Sequence, residues 1–320
     1  MIMKRLTIFF CITASCAVFG TKVMAQTDIS MATHWYNRAN YNPASIARTD
    51  YIYLFSDVRR QWIGVSGAPT VFNVQASEYI HDLRSAFGIS LVSDQIGATR
   101  AINPMLTYAY RISNERDWSL SMGLSAGVFA RYIDGSLFEA ENVSDPSVYS
   151  DMERILRPDA NVGIELQTTH FVLGLSSTHL FSVSKDSTLF LNSNHRYGYV
   201  IYKNTDLDLF NYNIGLQVVN RSSVTVLEGN VSVRFKHETG LNTGPREIFD
   251  LGLTYRTSNQ MTFLFGVNIS SNLRVGYAYD QSFLTGYGKN TSHEVMLEYR
   301  IPSKAASTCV QCRNTDYWYY

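Results

Sequence analysis

Period-two alternation dominates the chain. In "MTFLFGVNIS", Met261, Phe263, Phe265, Val267 and Ile269 share one parity, while Thr262, Gly266, Asn268 and Ser270 share the other, interrupted only by Leu264. After a turn at Ser271-Asn272 the pattern resumes, with Leu273, Val275, Tyr277 and Tyr279 against Arg274, Gly276, Ala278 and Asp280. Such alternation predicts strands with one apolar and one polar face. It recurs in "WSLSMGLSAGVFARY", "NVGIELQ", "FNYNIGLQV", "FDLGLTYR" and "HEVMLEYRI". No stretch after the N-terminal region has a helical period, and only "SDMERILRPD" near Asp151 is expected to form a short helix, in a loop.

The segments predict about fourteen strands, near 51–60, 69–79, 86–93, 100–112, 118–132, 160–168, 171–179, 195–202, 207–219, 223–236, 248–256, 261–270, 273–280 and 293–301. An even number suits a bacterial outer-membrane barrel. If the first strand leaves the periplasm, the outer connections include the long stretches 133–159, 180–194 and 281–292. The inner ones include the short stretches 113–117, 169–170, 203–206 and 271–272. Short inner turns with long outer loops are the transmembrane barrel pattern. The long connection 237–248 breaks it on the inner side. A soluble β-sandwich also alternates, with its apolar face inward. The expected fold is therefore all-β, a transmembrane barrel of about fourteen antiparallel strands. The Phe-rich parity of 261–269 faces lipid, and Arg131, Glu165, Arg234, Asp250, Arg256, Arg274 and Glu298 face a wet lumen.

Composition supports this. Of 320 residues, 17% are charged, against roughly 25% in typical soluble domains, and Tyr and Phe are abundant. The 27 basic and 27 acidic residues balance, which leaves no excess charge for a nucleic-acid backbone. The N-terminus has a basic start (Lys4, Arg5), an apolar stretch from Leu6 to Phe19 and small or apolar residues before Gln26. It reads as a signal peptide over 1–25; the other reading is an N-terminal membrane helix. Thr13 is a poor residue ahead of Cys16 for lipidation. The expected layout is the leader, an N-terminal periplasmic segment at 26–50, the barrel at 51–301 and a C-terminal tail at 302–320.

Cys309 and Cys312, in "CVQC", invite a zinc or redox reading, but further ligands and a βαβ context are lacking nearby. A local disulfide in an exported tail is the plainer expectation. The sequence has no HExxH, no Walker loop and no Gly-rich dinucleotide turn. No cofactor or metal is expected, and the protein is not expected to be an enzyme. His179, His195 and Asp186 are the only residues that invite a rim active site, and solvated loop histidines explain them equally.

Four pieces occur in order: "YNPAS" (Tyr41 to Ser45), "RRQWIGVSGAPT" (Arg59 to Thr70), "GYAYD" (Gly276 to Asp280) and "SHEVMLEY" (Ser292 to Tyr299). Together they resemble the PorP/SprF family of Bacteroidetes outer-membrane proteins associated with type IX secretion. "DLGLTYR" (Asp250 to Arg256) resembles the family's late Gly-x-x-Tyr-Arg strand. The resemblance runs from about Asn37 to Arg300. It implies an outer-membrane barrel that helps secreted proteins reach or stay on the cell surface, in some members adhesins used in gliding. Implied partners are outer-membrane lipid, periplasmic and lipoprotein subunits of the apparatus, and cargo with a C-terminal sorting domain. The alternative function is a porin or specific transporter.

The family motif and candidate partner-contact residues are Tyr41, Asn42, Pro43, Arg60, Gln61, Trp62, Gly64, Gly67, Pro69, Tyr279, Asp280, His293 and Glu294. Each also has a structural reading. Asn42-Pro43 sets an extended or turn geometry before the first strand. Trp62 suits a membrane-interface belt, and Gly67-Ala68-Pro69 a compact turn. Asp280, His293 and Glu294 flank the last outer loop, where they bind a partner or anchor the loop.

Overall fold

A computed structural model describes residues 31–47, 51–114, 118–135, 152–181, 194–204, 207, 209–221, 224–237, 246–283 and 291–302. The leader, Asp186, the tail with Cys309 and Cys312, and the closing aromatics Tyr317 to Tyr320 lie outside these residues.

The alternating segments form β1 (Tyr51–Arg60), β2 (Thr70–Ile80), β3 (Ser85–Ile96), β4 (Thr99–Ser113), β5 (Trp118–Asp134), β6 (Met152–Thr168) and β7 (Phe171–Thr178). They continue as β8 (His195–Asn204), β9 (Phe210–Arg221), β10 (Val224–His237), β11 (Arg246–Arg256), β12 (Gln260–Asn268), β13 (Leu273–Ser282) and β14 (Thr291–Pro302). Each strand pairs with its sequence neighbour, and β1 closes on β14, from Tyr51↔Pro302 to Arg60↔His293. The result is the expected fourteen-stranded antiparallel barrel. Closure leaves no unpaired sheet edge, which is what permits strands to cross lipid.

Two expectations change. "MERILRPD" is not a helix: it opens β6, which pairs with β5 from Asp134↔Met152 to Trp118↔Thr168. The polar and charged residues of this stretch obscured its alternation. A membrane-crossing strand needs about 9–11 residues, so these two strands of 17 extend well past the bilayer. The connection 237–248 shortens, because β10 runs to His237 and β11 starts at Arg246, with a bulge between Phe235 and Lys236.

Parity sorts the wall as expected. Phe263 is 50% and Phe265 43% exposed on the outside, while Thr262 between β11 and β13 is fully buried inside. Leu264, the interruption in the pattern, faces inward against Ala278 and Met296. Of the charges expected inside, Glu165, Arg234, Asp250, Arg256, Arg274 and Glu298 are buried, and Arg131 is half-buried. Phe265→Arg is expected to cost about 2–4 kcal/mol, and Tyr255→Arg, near the strand end, about 0–1 kcal/mol. Equilibrium unfolding from lipid vesicles measures both, and equal costs would contradict the assignment of the lipid face.

Both chain ends of the barrel emerge at one end, the terminus end. The opposite end, the mouth, carries the connections that follow odd-numbered strands.

Candidate functional site: a segment threaded through the lumen

Residues 26–50 were expected as a periplasmic segment ahead of the barrel. Instead, residues 31–47 run inside it. They fold as three short 3-10 turns, Ala32–Trp35, Arg38–Asn40 and Pro43–Ile46. Every residue from 32 to 47 is buried except Ala39 and Asn40, which are half-buried. The first turn packs on β13 and β14, and the third on β2, β3, β4, β5 and β6, so the segment crosses the lumen. It starts in the mouth half, beside Asp57, Arg59 and Glu294. It ends near the terminus end, where Ile46 and Ala47 pack with Tyr79, Ala86 and Ala109.

Local chemistry explains why the segment turns instead of extending. The side chains of Asn37 and Asn42, both in extended backbone, accept hydrogen bonds from the amides of Ala39 and Ala44. This caps the second and third turns. Pro43 follows at the first position of its turn, where a missing N–H is tolerated.

Charged wall residues then hold the segment. Glu294, fully buried on β14, accepts from the Ala32 amide (2.7 Å), the Thr33 amide (3.0 Å) and Arg59 Nη1 (3.0 Å). Thr33 Oγ1 lies 2.8 Å from Asp57 Oδ2 and also contacts Glu294. Glu228 on β10 receives His34 Nε2 (2.7 Å), Arg256 Nε (2.6 Å) and the Trp35 indole N–H. Tyr36 donates to Asp250 (2.6 Å), and the Arg274 guanidinium, paired with Asp250, lies 4.3 Å over its ring. Arg38, fully buried, forms a bidentate pair with Glu165 on β6 (2.8 and 3.0 Å). The Tyr199 hydroxyl donates to the same carboxylate and accepts from Asn42 Nδ2 (2.8 Å). Charges removed from water persist only when paired in this way.

Glycines on the inward parity make room. Gly123 and Gly163 are paired across β5 and β6. A Cβ at Gly123 would collide with the backbone of Pro43 and Ala44, and one at Gly163 with the Asn42 side chain. Gly215 likewise faces the Trp35 ring. Strand glycine at a close approach is the expected role.

The motif residues divide by parity and place. Tyr41, Asn42 and Pro43 form the heart of the threaded segment, with Tyr41 edge-on to Tyr199 at 5.4 Å. Asp280 and Glu294 point inward and share Arg59, which ion-pairs with both. Arg60, Tyr279 and His293 face the other way, with the Tyr279 and His293 rings 5.3 Å apart. Gln61, Trp62, Gly64, Gly67 and Pro69 lie in the connection after β1. There Gly64 (φ 88°) and Gly67 (φ 69°) adopt the left-handed backbone that favours glycine, and Trp62 (φ 44°) is exposed.

Sequence reasoning missed His34 to Arg38 and Glu228; it placed Glu165 and Asp250 in the lumen, but not as partners of a threaded segment. A usable signal existed: carboxylates in mid-strand on the same parity as glycines, and an arginine among aromatics ahead of β1. The rim residues also rearrange. His179 and His195 do meet, with rings 5.6 Å apart, but the carboxylate on His179 is Asp159, at 2.7 Å. Sequence reasoning also overlooked a G-x-S-x-G at Gly123-Leu124-Ser125-Ala126-Gly127, but it lies within β5 and not at a strand-to-helix turn, and Ser125 hydrogen-bonds Thr107 at 2.7 Å. Among the described residues no cluster suits a metal ion.

Residues 23–299 match the family described as "Type IX secretion system membrane protein PorP/SprF". No curated protein matches the chain in sequence. Among solved structures, the Ralstonia pickettii toluene transporter TbuX is similar with a TM-score of 0.50 and 11% identity, covering 87% of this chain and 96% of that one. The Pseudomonas putida toluene transporter TodX has a TM-score of 0.47 and 10% identity, covering 88% and 99%. At such identity the TbuX likeness speaks for the barrel fold alone.

Proposed function

Because the chain belongs to the PorP/SprF family of type IX secretion system membrane proteins and is an outer-membrane barrel, we propose that it acts without catalysis, helping exported proteins reach or stay on the cell surface. The family match across both threaded segment and barrel carries this reading. The mouth, with its long connections, faces the exterior, and the terminus end faces the periplasm. The lumen is occupied by the protein's own chain, held by buried ion pairs. Cargo therefore passes elsewhere, and this barrel serves as a docking or anchoring component beside the export route. Its partners are periplasmic and lipoprotein subunits and cargo with a C-terminal sorting domain. Adhesins used in gliding are one cargo class. Arg60, Trp62, Tyr279 and His293, which do not face the lumen, are the motif residues placed to meet a partner.

Affinity purification of a tagged copy from detergent-solubilised envelopes tests this. Co-purification of type IX components or of a large secreted protein with a C-terminal sorting domain is expected. Gene deletion is expected to deplete specific surface or secreted proteins. An unchanged surface proteome, with the barrel recovered alone, would defeat the proposal and favour the transporter reading. That second reading draws on the charged lumen, and it requires residues 31–47 to move.

A further inference from the structure

The threaded segment divides the lumen unequally. On the β10–β14 side its first turn is locked into the charge network. On the β2–β9 side a cavity of about 160 Å³ remains between the segment and the mouth. Its floor is Asn40, Tyr41 and Pro43, and its upper lining includes Ala101, Thr178 and His195, at or near the mouth ends of β4, β7 and β8.

The lining chemistry is specific. Asn73, Gln75, Asn103 and Gln217 project buried carboxamides into the cavity, and Tyr41, Tyr197 and Phe129 supply aromatic surface. The Tyr41 and Tyr197 rings lie 5.1 Å apart. Of the titratable groups on the lining, His179 is engaged by Asp159 at 2.7 Å and His34 by Glu228 at 2.7 Å, and Asp94 and Arg221 contribute one charge of each sign. Gln217 is 2% exposed, and its Nε2 donor has no protein partner. A buried donor of this kind calls for one.

We propose that this cavity binds a single neutral sugar residue. Asn73 and Gln75 are tied to Asn40, and Asn103 to Asp159 and the Val128 carbonyl, which leaves the Gln217 Nε2 donor aimed at a ligand acceptor such as a ring hydroxyl oxygen. Tyr and Phe faces cover the apolar C–H face of a pyranose. Asp94 and Arg221 balance in charge on the lining, which disfavours a ligand with a net charge, and the buried amides disfavour a hydrocarbon. The volume holds one six-membered ring, as a cavity of about 150 Å³ holds benzene, with the exocyclic groups of the sugar directed toward the mouth. The sugar is either free or the terminal residue of a surface glycan, and its route is the mouth. The proposal stands apart from the secretion role and does not depend on it.

The test uses the full mature barrel in a detergent without sugar headgroups, such as lauryldimethylamine oxide. Calorimetric titration with glucose, galactose, mannose and N-acetylglucosamine, and with their methyl glycosides, is expected to give saturable binding for at least one. Gln217→Leu and Tyr197→Ala are each expected to weaken it about tenfold, the scale of one lost hydrogen bond or ring contact, while Arg100→Ala, on the outer face of β4, leaves it unchanged. Heat-modified gel mobility verifies folding, and Gln217→Leu decides alone if Tyr197→Ala does not fold. Binding of methyl glycosides points to a glycan terminus, and binding of the free sugar only to a diffusible one. No saturable sugar binding, binding undiminished in Gln217→Leu, or binding of trialanine in place of every sugar would overturn the proposal.

Discussion

Deleting residues 31–47 is expected to turn a closed barrel into a conducting one. In planar bilayers the intact protein should show no steady conductance, and the deletion should open long-lived channels. The reason is geometric. The segment crosses the lumen from β13–β14 to β2–β6 and is buried along nearly its whole length. What it would leave behind is a wall of charges, including Glu165, Glu228, Asp250 and Glu294, that water and ions would solvate. Those charges would also lose partners, so the deleted barrel should unfold at a lower temperature on heat-modified gels. A milder variant guards against loss of folding. Gly123→Val places a branched side chain where Pro43 and Ala44 now sit. It should displace the third turn and produce intermittent openings. Intact protein that conducts as freely as the deletion would show that the segment does not close the lumen.

The second large effect concerns Arg38 and Glu165. Arg38→Ala is expected to destabilise the barrel by about 3–5 kcal/mol, because it leaves a buried carboxylate without its counter-charge. Arg38→Lys should recover only part of this, since an ammonium cannot reproduce the two-pronged contact at 2.8 and 3.0 Å. The double change Arg38→Met with Glu165→Met should be far closer to the parent than Arg38→Ala, because neither charge then remains to be desolvated. Equilibrium unfolding of the parent, Arg38→Met, Glu165→Met and the double change in one lipid system gives the coupling directly. Additive effects would mean that the two side chains do not depend on each other. Tyr199 donates to this carboxylate and accepts from Asn42, so the same variants should loosen the third turn and raise the frequency of channel openings. Stability and closure thus report on one contact.

Much of the barrel is legible in the residues alone. Strand positions follow from alternation, because successive side chains of a strand point to opposite faces whatever lies on either side. The opening pattern at 261–280 could be read as two lipid-facing strands and a turn, and it is. Even Leu264, the flaw in that pattern, has a local account once an apolar neighbour inside is known. The family motifs were legible too, but their roles were not. Tyr41-Asn42-Pro43 reads as a turn before a strand, and it is the core of a threaded segment. Asp280 and Glu294 read as loop-flanking groups, and they anchor Arg59.

What the sequence by itself determined is the set of strands, their facing and their number, all set by a two-residue period. What only the tertiary structure decided is that the barrel holds its own N-terminal segment. Short 3-10 turns have no long period to detect, and a buried polar segment has the composition of a loop. Its burial is tolerated only because carboxylates from β1, β6, β10, β11 and β14, far apart in the chain, converge on it when the sheet closes.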